Sequence, residues 1–134
     1  MRKSDVLVKL QEFPYDPKEY WVVAGAAMVL YGIRKECTDI DLGCSSKLAD
    51  QLEQDGYLYK RTADGNRCFR IGNDIEVFEN WLKDTVTDVE GIPVITLTGL
   101  IEMKQELGRE KDLNDIRLIL AHMQQELTGE TDEA

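Results

Sequence analysis

Histidine is almost missing from this chain. His122 is the only one in 134 residues, so a histidine-based metal site has nothing to be built from. Base chemistry, if there is any, falls to carboxylates. His122 itself lies late in a helical pattern, where a capping or surface role is sufficient. Cysteine is scarce too: Cys37, Cys44 and Cys68 are odd in number and not spaced as zinc ligands. They read as reduced thiols of a cytoplasmic protein rather than a disulfide framework, with Cys68 in "RCFRI" a small core residue. No apolar run approaches the roughly 20 residues that cross a bilayer. The opening "MRKSDVLVKLQEF" is too charged for a secretory leader, and no membrane partner is expected. Basic residues are in deficit, with 16 Lys and Arg against 26 Asp and Glu and a formal charge of −10. That balance excludes a broad electrostatic grip on nucleic acid. It leaves room for a local site at which magnesium bridges acidic side chains to phosphates.

There is enough apolar material, 43% of residues, for one folded domain over residues 1–134. An exposed acidic tail is expected from about residue 128. "SDVLVKLQEF" has helical spacing with Ser4 as its N-cap. "YWVVA" reads as a strand that Gly25 breaks, "AAMVLYG" as a buried helix, and "TDIDLGC" as a second strand. "SSKLADQLEQDG" is a helix capped by Ser45 or Ser46, with Leu48 and Leu52 on its inner face and Gly56 at its end. "YLYKRT", "RCFRI" and "DIEVFE" are strands joined by the tight turns "ADGN" and "GN". "IPVITL" is a further short strand. "TGLIEMKQELG" and "EKDLNDIRLILAHMQQEL" are helices, the second with Leu113, Ile116, Leu120 and Met123 on one stripe. This order predicts an α/β or α+β protein: one mixed β-sheet flanked by helices.

The chemistry-bearing residues are carboxylates. On a strand, residues two apart share a face, so "DID" sets Asp39 beside Asp41. Paired carboxylates repel, and burying them costs several kcal/mol unless something compensates. A magnesium ion does so and keeps coordination sites for water and phosphate oxygens. "NDIEVFE" repeats the pattern with Asp74 and Glu76, either of which a neighbouring strand can bring to the first pair. Three carboxylates suit a two-metal phosphoryl-transfer site. Upstream, "VVAGAAMV" places Gly25 and Ala26 in a small-residue turn at the start of a helix, a setting for a phosphate. The plainer readings are a solvated DxD loop, close strand–helix packing at "AGAA", and hairpin packing for the aromatic and basic residues of "YLYKR". Arg34 and Lys35 form a solvated bend or, second, touch a triphosphate. Lys104, Arg109 and Lys111 are surface charges of a helix, and Asp112 and Asp115 are helix-start acids. Trp21 and Trp81 belong to the core or its rim.

"AGAAMVLYGIRKECTDIDL" resembles the signature of the nucleotidyltransferase superfamily with the polymerase-β-like fold: a glycine turn, a short helix, then Asp-x-Asp. It is most similar to the abortive-infection-type nucleotidyltransferases and to the head domains of CCA-adding enzymes. "EMKQELGREKDLNDIRLI" is similar to a late helical segment of that branch. The resemblance is strong over Val22 to Leu42 and weaker at Glu76 and over Lys104 to Ile116. It implies that Gly25 and Ala26 contact a nucleoside triphosphate, that Asp39 and Asp41 bind magnesium, that Glu76 is the third carboxylate, and that Lys104 helps to hold phosphates. Ala26 departs from the Gly or Ser usual at the second turn position.

Two functions follow as expectations. One is a magnesium-dependent enzyme that moves a nucleoside monophosphate from a nucleoside triphosphate to an acceptor hydroxyl, on a small molecule, an RNA end or a protein. The other is a catalytically silent nucleotide-binding module, or an antitoxin-like partner of another protein. The acidic surface makes an RNA acceptor the least comfortable of the three.

Overall fold

A computed structural model describes residues 1–82 and 86–132. The chain forms two compact units, residues 1–96 and residues 97–134.

The first unit is built on a seven-stranded mixed sheet. Its elements are α1 (Lys3–Glu12), β1 (Tyr20–Val23), α2 (Ala24–Leu30), β2 (Ile40–Cys44), α3 (Ser46–Gln54), β3 (Tyr59–Arg61), β4 (Arg67–Ile71), β5 (Ile75–Glu79), β6 (Val86–Val89) and β7 (Ile92–Ile95). In space the strands run β3-β4-β5-β2-β1-β7-β6. The β2–β5 and β1–β7 pairs are parallel and the others antiparallel. This is the expected mixed α/β architecture.

Register sorts the side chains into rows, because directly paired residues share a face of the sheet. Phe69, Val77, Leu42, Val22 and Val94 are successive partners across five strands, and all are fully buried. They form the floor of the core, together with Val6 and Leu10 of α1, Met28 and Leu30 of α2, and Leu48 and Leu52 of α3. The neighbouring rows point to the opposite face. One is Cys68–Phe78–Gly43–Trp21, and the other is Arg70–Glu76–Asp41–Val23.

α3 starts and stops as its sequence directs. The Ser45 hydroxyl accepts from the Leu48 amide at 3.1 Å, and Gly56 takes the left-handed conformation after the last turn, φ +93°. α1 differs from expectation at its start. Its N-cap is Arg2, not Ser4, and the Asp5 carboxylate accepts from the Arg2 amide. β6 was not foreseen: "VTDV" has no apolar alternation, and three of its four residues are exposed at the sheet edge. Its turn into β7 uses Glu90 and Gly91, both at positive φ, as a two-residue hairpin with native twist requires.

The second unit consists of α4 (Leu97–Leu107) and α5 (Glu110–Asp132), with Gly108 at φ +61° between them. α5 continues to Asp132, through residues read from sequence as the start of a frayed tail. Residues 133 and 134 lie outside the described residues. The buried stripe of α5 is also not the expected one. Asp112, Asp115 and Ile119 are buried, while Leu113 and Leu120 are about half exposed, at 49% and 52%. Apolarity alone selects the wrong face, because the two aspartates are neutralised by Lys104, whose Nζ lies 2.9 Å from Asp115 and 3.5 Å from Asp112.

Candidate functional site

β1 runs straight into α2. Val23 is extended, and the next residue, Ala24, sits at φ +58°. The left-handed residue of the turn is therefore Ala24. Gly25 follows, half-exposed, and Ala26 is fully buried. A Cβ placed on Gly25 would lie 3.8 Å from the Cys37 Cβ and 3.9 Å from Arg34 Nη1. That is ordinary contact, so the turn lies against the bend that carries Arg34 and Cys37.

Asp41 stands beside this turn. Its register partner on one side is Val23, the residue before Ala24. Its partner on the other side is Glu76, in the parallel strand β5. Asp41 and Glu76 are half-buried, and Asp39 is exposed just before β2 begins. Two thiols flank the carboxylates. The Cys37 thiol is pushed up, mainly by burial; the charged amino terminus opposes this, and the fields of Asp39 and Asp41 add to it. The Cys68 thiol is pushed up by burial and then by Glu76 and Asp41, with Lys60 opposing. Cys68 is thus half-buried in the row next to the carboxylates and not in the core where its sequence context had placed it.

Register and partners distinguish Asp74 from Glu76. Asp74 precedes β5 and pairs with Lys9 of α1 at 2.6 Å, which raises the lysine above its ordinary pKa. Glu76 occupies the row with Asp41. Its carboxylate is not turned to a shared centre, however. Arg70, its partner on β4, donates from Nη1 to Glu76 Oε1 at 2.8 Å. Among the described residues, no group of three or more His, Cys, Asp or Glu side chains is arranged to hold a metal ion.

Solved structures share the overall fold of this chain. A Thermotoga maritima protein described as a candidate nucleotidyltransferase superimposes with a TM-score of 0.63 at 17% identity, over 90% of this chain and 96% of that one. The fold is that of the nucleotidyltransferases. The lincosamide antibiotic adenylyltransferase LnuA, with lincomycin bound, gives 0.58 at 15% identity over 88% of this chain and 96% of that one. ANT(2″)-Ia, in complex with adenylyl-2″-tobramycin, gives 0.58 at 15% identity over 88% and 85%. No protein-family profile matches the sequence, and no curated protein does. At such identities the likeness is one of nucleotidyltransferase fold.

Within that fold Gly25, Ala26, Asp39, Asp41 and Glu76 belong to one neighbourhood of the first unit, spanning the turn and the row beside it. Lys104 has a different employment. It is buried in the second unit with Asp115 and Asp112 as partners, not a surface charge of its helix. Asp112 is held at about 2, chiefly by the Arg109 guanidinium, which donates to it at 2.6 Å. His122 lies on α5 with Nε2 2.8 Å from Glu126, and its side chain is 22% exposed, so it is part-buried where a capping or surface role was expected. Sequence reasoning missed Arg70. The signal was there: a tight "GN" turn between "RCFRI" and "DIEVFE" aligns Ile71 with Ile75, and so Arg70 with Glu76. No helix among the described residues is long and apolar enough to cross a membrane.

Proposed function

We propose that this chain is a nucleotidyltransferase, transferring a nucleoside monophosphate from a nucleoside triphosphate to an acceptor hydroxyl. One observation carries the reading: the turn after Val23, Asp41 and Glu76 stand in consecutive register on one sheet face, in a fold shared with two adenylyltransferases. Gly25 and Ala26 would face the triphosphate through their backbone, with Arg34 beside them. The donor set suits magnesium, which takes oxygen ligands and commonly only one or two carboxylates from the protein. Asp39 and Asp41 would hold it. Glu76 is the third carboxylate of a two-metal arrangement, or the base for the acceptor hydroxyl. Bound magnesium supplies neutralisation of the charge that builds on the phosphates during transfer.

The acceptors of the two antibiotic adenylyltransferases are small molecules, and we favour a small hydroxyl-bearing acceptor here over an RNA end. The formal charge of −10 disfavours a polyanion. Use of a nucleoside triphosphate is compatible with a cytoplasmic location. The test is a titration with magnesium and each of the four nucleoside triphosphates, followed by thermal melting. Wild type should be stabilised by nucleotide only when the metal is present. Asp39→Asn and Asp41→Asn should lose that stabilisation while melting alone near the wild-type temperature. Metal-dependent nucleotide binding that survives in Asp41→Asn would rule out the assigned site.

A further inference from the structure

Glu76 sits between two neighbours of opposite charge. Across the parallel pair its register partner is Asp41, and across the antiparallel pair it is Arg70. Adjacent strands lie about 4.8 Å apart, so the carboxylate can lean either way. It leans to Arg70, at 2.8 Å. The guanidinium is itself tethered at its other end: Nη2 donates to the Asn73 carbonyl at 2.7 Å in the β4–β5 turn. Glu76 is therefore drawn away from Asp41 by a cation fixed at two points. Among the described residues no third carboxylate joins Asp39 and Asp41 in a metal-binding group. Beyond the pair opens a pocket of about 510 Å³ lined by Lys60, Cys68, Arg70, Gly72 and Glu76.

We propose that Arg70 is a positioning residue that latches Glu76 off the Asp39–Asp41 pair and against this pocket. The inference rests on the nucleotidyltransferase reading of the carboxylates. Arg70 holds Glu76 from the side away from Asp41, so pairing with Arg70 and ligation of a cation shared with Asp41 compete for one carboxylate. Its guanidinium also holds Glu76 at the edge of this pocket, open to an acceptor approaching from the β3–β4 side. Without Arg70, the uncompensated Glu76 would turn to any dication near Asp41.

The test uses Mn²⁺ alone, without nucleotide, on the full chain, with bound ion measured by electron paramagnetic resonance. Arg70→Gln should bind Mn²⁺ at least five-fold more tightly than wild type, and adding Glu76→Gln should remove the gain. Arg70→Lys keeps the charge but loses the two-point fork, and should fall between them. It also serves if Arg70→Gln does not fold. Equal Mn²⁺ affinity in wild type, Arg70→Gln and Arg70→Lys overturns the latch, and so does absence of binding in all of them. A gain that persists in the double variant overturns it as well. Failure of the proposed function shows separately, as a wild-type protein that binds no metal–nucleotide complex.

Discussion

Trp21 lies flat against Gly43. A Cβ on Gly43 would stand 2.1 Å from Trp21 Nε1 and 2.4 Å from the Trp81 carbonyl oxygen. The indole donates to that same carbonyl at 2.7 Å, and Trp81 packs on Phe78 with centroids 4.9 Å apart. Only glycine lets the indole cross the strand and reach its acceptor. Gly43→Ala should cost about 2 kcal/mol through overpacking, read as a lower urea midpoint. It should also shift tryptophan emission to the red as Trp21, now 7% exposed, is displaced.

Ala24 carries the backbone strain of the β1–α2 turn, at φ +58°. A left-handed conformation costs an alanine about 1–2 kcal/mol, and glycine returns part of that as unfolded-state entropy. Ala24→Gly should raise stability by about 0.5–1 kcal/mol, measurable in chemical denaturation. If the turn's conformation rather than its side chain serves the triphosphate, metal-dependent nucleotide binding should be preserved in this variant.

Arg67 and Glu79 form the principal buried ion pair of the first unit. The guanidinium donates to both Glu79 oxygens, at 3.0 and 2.7 Å, and reaches Glu53 and Asp50 on α3. These bonds hold Glu79 at about 2, against an ordinary value of 4.5. Since the folded-state value is the lower one, protonation favours the unfolded chain. The stability Glu79 contributes is complete above about pH 4.5 and is lost as pH falls toward about 2. Glu79→Gln should cost about 3 kcal/mol at neutral pH, because it leaves a buried guanidinium short of charge. It should also flatten the acid limb of the stability profile over that window.

Lys104 separates two roles cleanly. As the partner of Asp112 and Asp115, its replacement removes a buried positive charge from beside two buried carboxylates. Lys104→Met should destabilise the protein by about 3 kcal/mol, read as a lower urea midpoint. Nucleotide affinity, measured below the melting temperature, should stay at the wild-type level. A selective loss of nucleotide affinity in a fully folded variant would restore the phosphate-binding role.

The sequence alone determined the elements whose signals are local. Aromatic and β-branched residues mark β1, alternation marks β2, β4 and β5, Ser45 and Gly56 bound α3, and the tight turns order the meander from β3 to β5. A spacing of two residues was enough to bring Asp39 and Asp41 to attention. Other features depend on partners distant in the chain, and only the tertiary structure decided them. Parallel pairing of β2 with β5 set Glu76 opposite Asp41 while Asp74 paired with Lys9, and an antiparallel neighbour tied Glu76 to Arg70. The ion pairs of Lys104 buried two aspartates and turned the leucine stripe of α5 outward. Local pattern reports which residues favour a strand or a helix. The face a charge occupies depends on which opposite charge the fold brings to it, because a buried charge is tolerable only when paired.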